Sequence, residues 1–174
     1  MMSAPIDRPK RIPGLSDLAK HGFLKLLEDI RLDKIDNAVY LKNYVSPNIS
    51  HVAMIAVLEK IKGCKKIQGL MMQNFDCVTD EHLVLLLEVL MHSDCNIWFI
   101  NIGEFNKVST RCWCSFAENL PKTKVTHMYA SEHLFSTDLK KQMMVEIRKN
   151  RSKHTMHNSI DNIKVIKKVT HCWW

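Results

Sequence analysis

The chain has 174 residues, of which 46% are hydrophobic and 25% charged. That suits one domain with a sizeable core and excludes a disordered or fibrous class. No apolar run approaches the roughly 20 residues that a membrane-spanning helix needs, and the longest, from Leu83 to Met91, is broken by Glu88. The net charge is +7 and unevenly placed: residues 139–174 hold 9 basic and 2 acidic side chains, whereas residues 35–138 hold 9 and 11. Such asymmetry hints at a polyanionic partner for the C-terminal part, or at a solvated basic helix face.

In chain order, residues 1–14 are rich in proline and charge and are expected to form a flexible basic arm. No apolar core follows Asp7, Arg8, Lys10 and Arg11, so no secretory signal is expected. The six cysteines have no framework-like spacing. Reduced thiols and an intracellular location, cytoplasmic or nuclear, are therefore expected. Residues 15–34 read as an N-terminal capping helix, with Ser16 as N-cap and Leu18, Phe23, Leu24, Leu27 and Ile30 at helical spacing; Gly22 weakens it.

From residue 35 to 150 a strand, a turn and a helix alternate four times. Strands are expected near Ala38 to Asn43, Gln68 to Gln73, Ile97 to Ile102 and Thr126 to Ser131. Helices are expected from about Ser50 to Ile61, Thr79 or Asp80 to Met91, Ser109 to Asn119, and Ser136 or Thr137 to about Asn150. Ser, Thr and Asp at these starts supply side-chain caps, and Pro121 follows the end of the third of these helices. Alternating strand and helix imply a parallel sheet.

The alternation repeats in detail. Ile67, Leu70, Met72 and Phe75 have the spacing of Ile97, Ile100, Ile102 and Phe105, and of Val125, Met128, Ala130 and His133; Val39, Leu41 and Tyr44 follow it more weakly. The matched residues Leu41, Met72, Ile102 and Ala130 step by 31, 30 and 28. A steady period of this length is the mark of a stacked solenoid. The L-x-x-L-x-L spacing followed by a long helix resembles the leucine-rich repeat, and within it the ribonuclease-inhibitor-like subclass. The resemblance implies an α/β fold: a short solenoid of about four strand–helix repeats, a parallel curved sheet on the concave side, and helical caps. An ordinary three-layer α/β domain is the alternative. In that family the ninth position is often Asn or Cys, and the Asn bonds the turn backbone. Here it is Tyr44, Phe75, Phe105 and His133, so packing is expected to hold the turn.

Strand alternation sends every second side chain away from the core. A concave strip is therefore expected from Tyr40, Lys42, Met71, Gln73, Phe99, Asn101, His127 and Tyr129, with Glu104 and Glu132 at its edge. Exposed aromatic and methionine side chains are enriched at protein interfaces. The expected function is a non-catalytic protein-interaction module, a scaffold binding an unidentified protein on this strip.

The C-terminal part, residues 151–174, reads as a basic connector and an amphipathic helix. Lys140, Lys141, Arg148, Lys149, Arg151 and Lys153 are candidate polyanion contacts, which makes a nucleic-acid-associated protein the alternative function. The closing Trp173 and Trp174 either pack back, anchor something else, or mark the front of a longer protein.

Little points to catalysis. There is no G-x-S-x-G elbow, Walker loop or Rossmann glycine pattern, and the five glycines do not cluster. His127 beside Glu104 or Glu132 is the one acid/base pairing worth checking. Cys112 and Cys114 lie about 200° apart around a helix, poor geometry for one tetrahedral metal. His154, His157, His171 and Cys172 lack a supporting Cys pair. No metal and no cofactor are expected.

Overall fold

A computed structural model describes residues 17–32, 34, 35, 37–73, 75–131 and 135–154. The basic arm, the ninth-position His133, the edge residue Glu132, and the C-terminal segment from residue 155 onward lie outside the described residues.

Among the described residues nine regular elements alternate: α1 (Asp17–Arg31), β1 (Ala38–Tyr40), α2 (His51–Ile61), β2 (Gly69–Met71), α3 (Asp80–Met91), β3 (Phe99–Gly103), α4 (Thr110–Asn119), β4 (His127–Ala130) and α5 (Thr137–Lys153). Short 3₁₀ turns occupy Leu41–Asn43 and Leu120–Lys122. The expected first strand is thus cut short, because its second half closes into the 3₁₀ turn. Three expected helix starts are caps: Ser50, Ser109 and Ser136 each accept a hydrogen bond from the backbone N–H three residues on, at 3.2–3.3 Å. Each such cap is worth about 1 kcal/mol. The last helix runs three residues past Asn150, to Lys153.

The four strands form one parallel sheet in sequential order. Its register aligns three rows: Ala38, Gly69, Phe99 and His127; Val39, Leu70, Ile100 and Met128; Tyr40, Met71, Asn101 and Tyr129. The middle row is 0–1% exposed and belongs to the core under the helices. Helices α1 to α5 pack in a row, each against the next. This arrangement is consistent with a short repeat solenoid. Between β3 and β4 the register slips, so that Asn101 faces Tyr129 and Gly103 faces Ala130. Gly103 takes a positive φ of 53°, and its N–H donates to Asn101 Oδ1 at 3.1 Å.

Packing does hold the ninth-position turns. Phe75 and Phe105 are each 1% exposed. Phe105 stacks on Trp113 with ring centroids 6.3 Å apart, and Trp113 meets Phe116 and Phe135 edge-on. Tyr44 is half-buried against the same core.

Helix α1 packs against α2 and buries Leu26 and Ile30, whereas Leu24 is 59% exposed. Gly22 has a positive role: a Cβ there would overlap the carbonyl of Tyr44. The glycine that weakens the helix lets it approach the chain.

Hydrogen bonds also tie one repeat to the next. Asp80 accepts from the Ser109 N–H and Oγ, both at 2.6 Å. Before the strands, Asn96 Nδ2 donates to Lys65 O at 2.8 Å and Asn96 Oδ1 accepts from Lys124 Nζ at 3.0 Å. Asn150 is fully buried, and its Nδ2 donates to the carbonyls of Leu120 and Val125, each at 2.9 Å.

Candidate functional site

The sheet face turned away from the helices carries the first and third register rows. It gathers most of the expected strip, but the strip is not the open surface that alternation suggested. Met71, Phe99 and Asn101 are 1–3% exposed and His127 is 6%. Tyr40, Gln73 and Tyr129 are half-buried, while Lys42 and Glu104 are exposed. Neighbouring strands lie about 4.8 Å apart, so bulky side chains on one face touch each other. Met71, Trp98 and Phe99 form a second apolar cluster, with Ala38 and Tyr40 packed against it. The absence of a side chain at Gly69 helps: a Cβ there would lie 3.2 Å from that of Ala38 and 3.6 Å from the Phe99 ring.

The polar members of the strip are engaged locally. Asn101 spends its Oδ1 on Gly103, as described above. The His127 ring lies 2.9 Å from Thr126 Oγ1 and edge-on to Trp98 at 5.4 Å. Burial, and then the nearby Arg151 guanidinium, push its pKa down to about 4. The imidazole is therefore neutral at neutral pH. The candidate acid/base pairing of His127 with Glu104 is not formed: Glu104 accepts from Ser131 Oγ at 3.1 Å, and the nearby charge that bears on His127 is that of Arg151. Burial likewise raises the Tyr40 phenol.

The basic segment is less free than its composition implied. Lys140, Lys141, Arg148, Lys149, Arg151 and Lys153 all lie on α5. Arg151 is half-buried and its Nε donates to Thr126 O at 2.7 Å. Its pKa is lowered by burial and then by Arg148. It ties α5 to the start of β4. Lys149 pairs with Glu146 at 2.7 Å. Lys141, Arg148 and Lys153 are exposed, and Lys140 is half-buried.

The five described cysteines are free thiols. Cys112 donates to Asp80 O at 3.6 Å, and burial raises its pKa. Among the described residues no group of His, Cys, Asp and Glu is placed to hold a metal, and no helix is long and apolar enough to cross a membrane. A cleft of about 400 Å³ between α1 and the end of α2 is lined by Leu24, Leu27, Ile30, Arg31, Lys60 and Cys64 among others.

Sequence reading missed Asp80, His82, Asn96 and Asn150 as bridging residues. Their signal was weak but present. Asp80 and Ser109 are 29 residues apart, and Asn96 and Lys65 are 31 apart, close to the repeat period.

No family model matches this chain, and no curated protein matches it. Solved structures do. The chain is similar to the actin-binding site 2 fragment of leiomodin-1, with a TM-score of 0.61, 12% identity, and coverage of 77% of this chain and 75% of that one. At that identity the likeness concerns the fold alone, and at that level it supports a leucine-rich-repeat-like reading.

Proposed function

We propose that this chain is a non-catalytic protein-interaction module, a short leucine-rich-repeat-like solenoid that binds a protein partner on the far face of its sheet. The observation that carries the reading is the layering. Among the described residues every helix packs on one side of the parallel sheet, and none packs on the other. Side chains at the accessible points of such a face are presented at fixed spacing by a rigid support, which suits recognition of a folded surface. Fold likeness to a fragment titled as an actin-binding site adds support for a protein partner.

Burial decides which residues meet the partner. Met71, Phe99 and Asn101 shape the strip from within. The half-buried Tyr40 and Tyr129 and the exposed Lys42 and Glu104 offer the contact atoms. The proposed compartment is intracellular, in keeping with the free thiols. No metal or cofactor enters the proposal.

The test is a quadruple variant, Tyr40→Ala, Lys42→Glu, Glu104→Lys and Tyr129→Ala, compared with the native chain in affinity capture and in direct binding to purified actin. Loss of a specific partner by a chain that still unfolds cooperatively, at a somewhat lower temperature because Tyr40 packs on the second cluster, is expected. A variant that keeps every partner overturns the reading.

A further inference from the structure

His82 occupies a place that sequence rules usually give to Glu or Gln. It is the third residue of α3, three after the N-cap Thr79. Its side chain does what a capping Glu does: the Thr79 N–H donates to Nδ1 at 3.1 Å, and Thr79 Oγ1 lies at the same distance. Unlike a Glu, it has a second functional end. Nε2 lies 3.1 Å from the carbonyl of His51, at the first position of α2, 31 residues earlier. A backbone N–H can only donate and a carbonyl can only accept, so Nδ1 must be bare and Nε2 must carry the hydrogen. The ring is 0% exposed.

We propose that His82 is an acid-sensitive joint between the first and second repeats, a buried neutral imidazole whose protonation releases the start of α3 and weakens its hold on α2. Protonated Nδ1 can no longer accept from the Thr79 N–H; its new hydrogen can turn only to Thr79 Oγ1, and the Thr79 N–H is left without its acceptor. The groups facing the ring are few. From α2 comes the His51 ring, edge-on at 4.2 Å, whose Nε2 contacts Glu81 at 2.9 Å. From α3 come Glu81 itself and Asp80, which is turned toward Ser109 at the cap of α4. Burial lowers the His82 pKa most and the His51 charge lowers it further; the bond to His51 O and the Glu81 charge raise it, and the net direction is downward. The folded chain thus binds this proton less readily than the unfolded chain. The joint's stability is full above the ordinary imidazole value of about 6.5 and is lost as pH falls through the folded value. Stacked repeats communicate through nearest-neighbour contacts, so the loosening should stay local.

The experiment pairs ¹⁵N imidazole shifts with hydrogen exchange on the full chain at about pH 7.5 and about pH 5, which bracket the ordinary value of about 6.5. The comparison variant is His82→Gln, since Gln keeps a capping acceptor and cannot titrate. Expected are an Nε2–H tautomer at the higher pH and, at the lower pH, exchange at Thr79 and Leu83 that speeds up relative to α4 and α5. His82→Gln should abolish that relative acceleration. An Nδ1–H tautomer, a ring already protonated near pH 7.5, or equal acceleration in His82→Gln would overturn the proposal. Should His82→Gln fail to fold, the tautomer and the titration of the native ring decide.

Discussion

The two faces of the sheet are built from adjacent residues and held by different means. The row Val39, Leu70, Ile100 and Met128 faces the helices and is buried against Met54, Leu86, Phe116 and their neighbours in one continuous core. Its four members are aliphatic or methionine, and any of them could exchange places with little change in chemistry. The rows on the far face mix Ala38, Gly69, Phe99 and His127 with Tyr40, Met71, Asn101 and Tyr129. Here burial ranges from complete at Phe99 to partial at Tyr40 and Tyr129. Polar groups such as Asn101 and His127 are satisfied by their own neighbours. The first face is specified by periodicity. The second is specified residue by residue, because each side chain there is held by different neighbours.

The largest effect should come from the near face. Ile100→Ala removes a side chain that is 1% exposed, and should cost about 3–4 kcal/mol in chemical denaturation, the transfer loss plus the cavity. A cost below about 1 kcal/mol would mean that the two faces are not distinguished by packing. A smaller effect is expected from filling the far face. Gly69→Val places branched carbons between Ala38, Phe99 and Met71, and should destabilise by about 1–3 kcal/mol through overpacking. A neutral or stabilising result would show the second cluster to be loosely packed.

The smallest effect at neutral pH, and the most specific, concerns His127. Its folded pKa of about 4 lies below the ordinary imidazole value. Its contribution is therefore full above about pH 6.5 and declines as pH falls toward the folded value, because the unfolded chain takes up the proton first. The variant His127→Gln should match the native chain near pH 7 to within about 1 kcal/mol and lose less stability than it on acidification, read as denaturation midpoints across the acid range. Parallel losses in the two proteins would show that His127 is not held neutral by its surroundings.

Much of the fold was legible in the chain. Ser50, Ser109 and Ser136 announced three helix starts because a hydroxyl in that position satisfies an otherwise orphaned N–H. The recurrence of Ile67, Leu70, Met72 and Phe75 at Ile97, Ile100, Ile102 and Phe105 announced the strands and the core face. Both signals are local or periodic, so they survive in one dimension.

The candidate site was legible only as a set of positions. Alternation separates Met71, Phe99, Asn101 and Tyr129 from the core row, because side-chain direction follows from backbone geometry. It could not say how deeply each would be buried, since exposure depends on neighbours brought in by strand pairing. The same reason explains Arg151, counted with the free cations in sequence but bonded to Thr126 in the fold. It explains Asn150, whose amide caps two carbonyls from earlier parts of the chain, and His82, whose second nitrogen finds a backbone carbonyl 31 residues away. Sequence by itself determined the elements, their order and the apolar face of each strand, all consequences of short-range sterics and repeated patterning. Tertiary structure alone decided which polar groups became bridges and which aromatic rings kept exposed surface, because those outcomes depend on distances between residues about 25 to 31 positions apart.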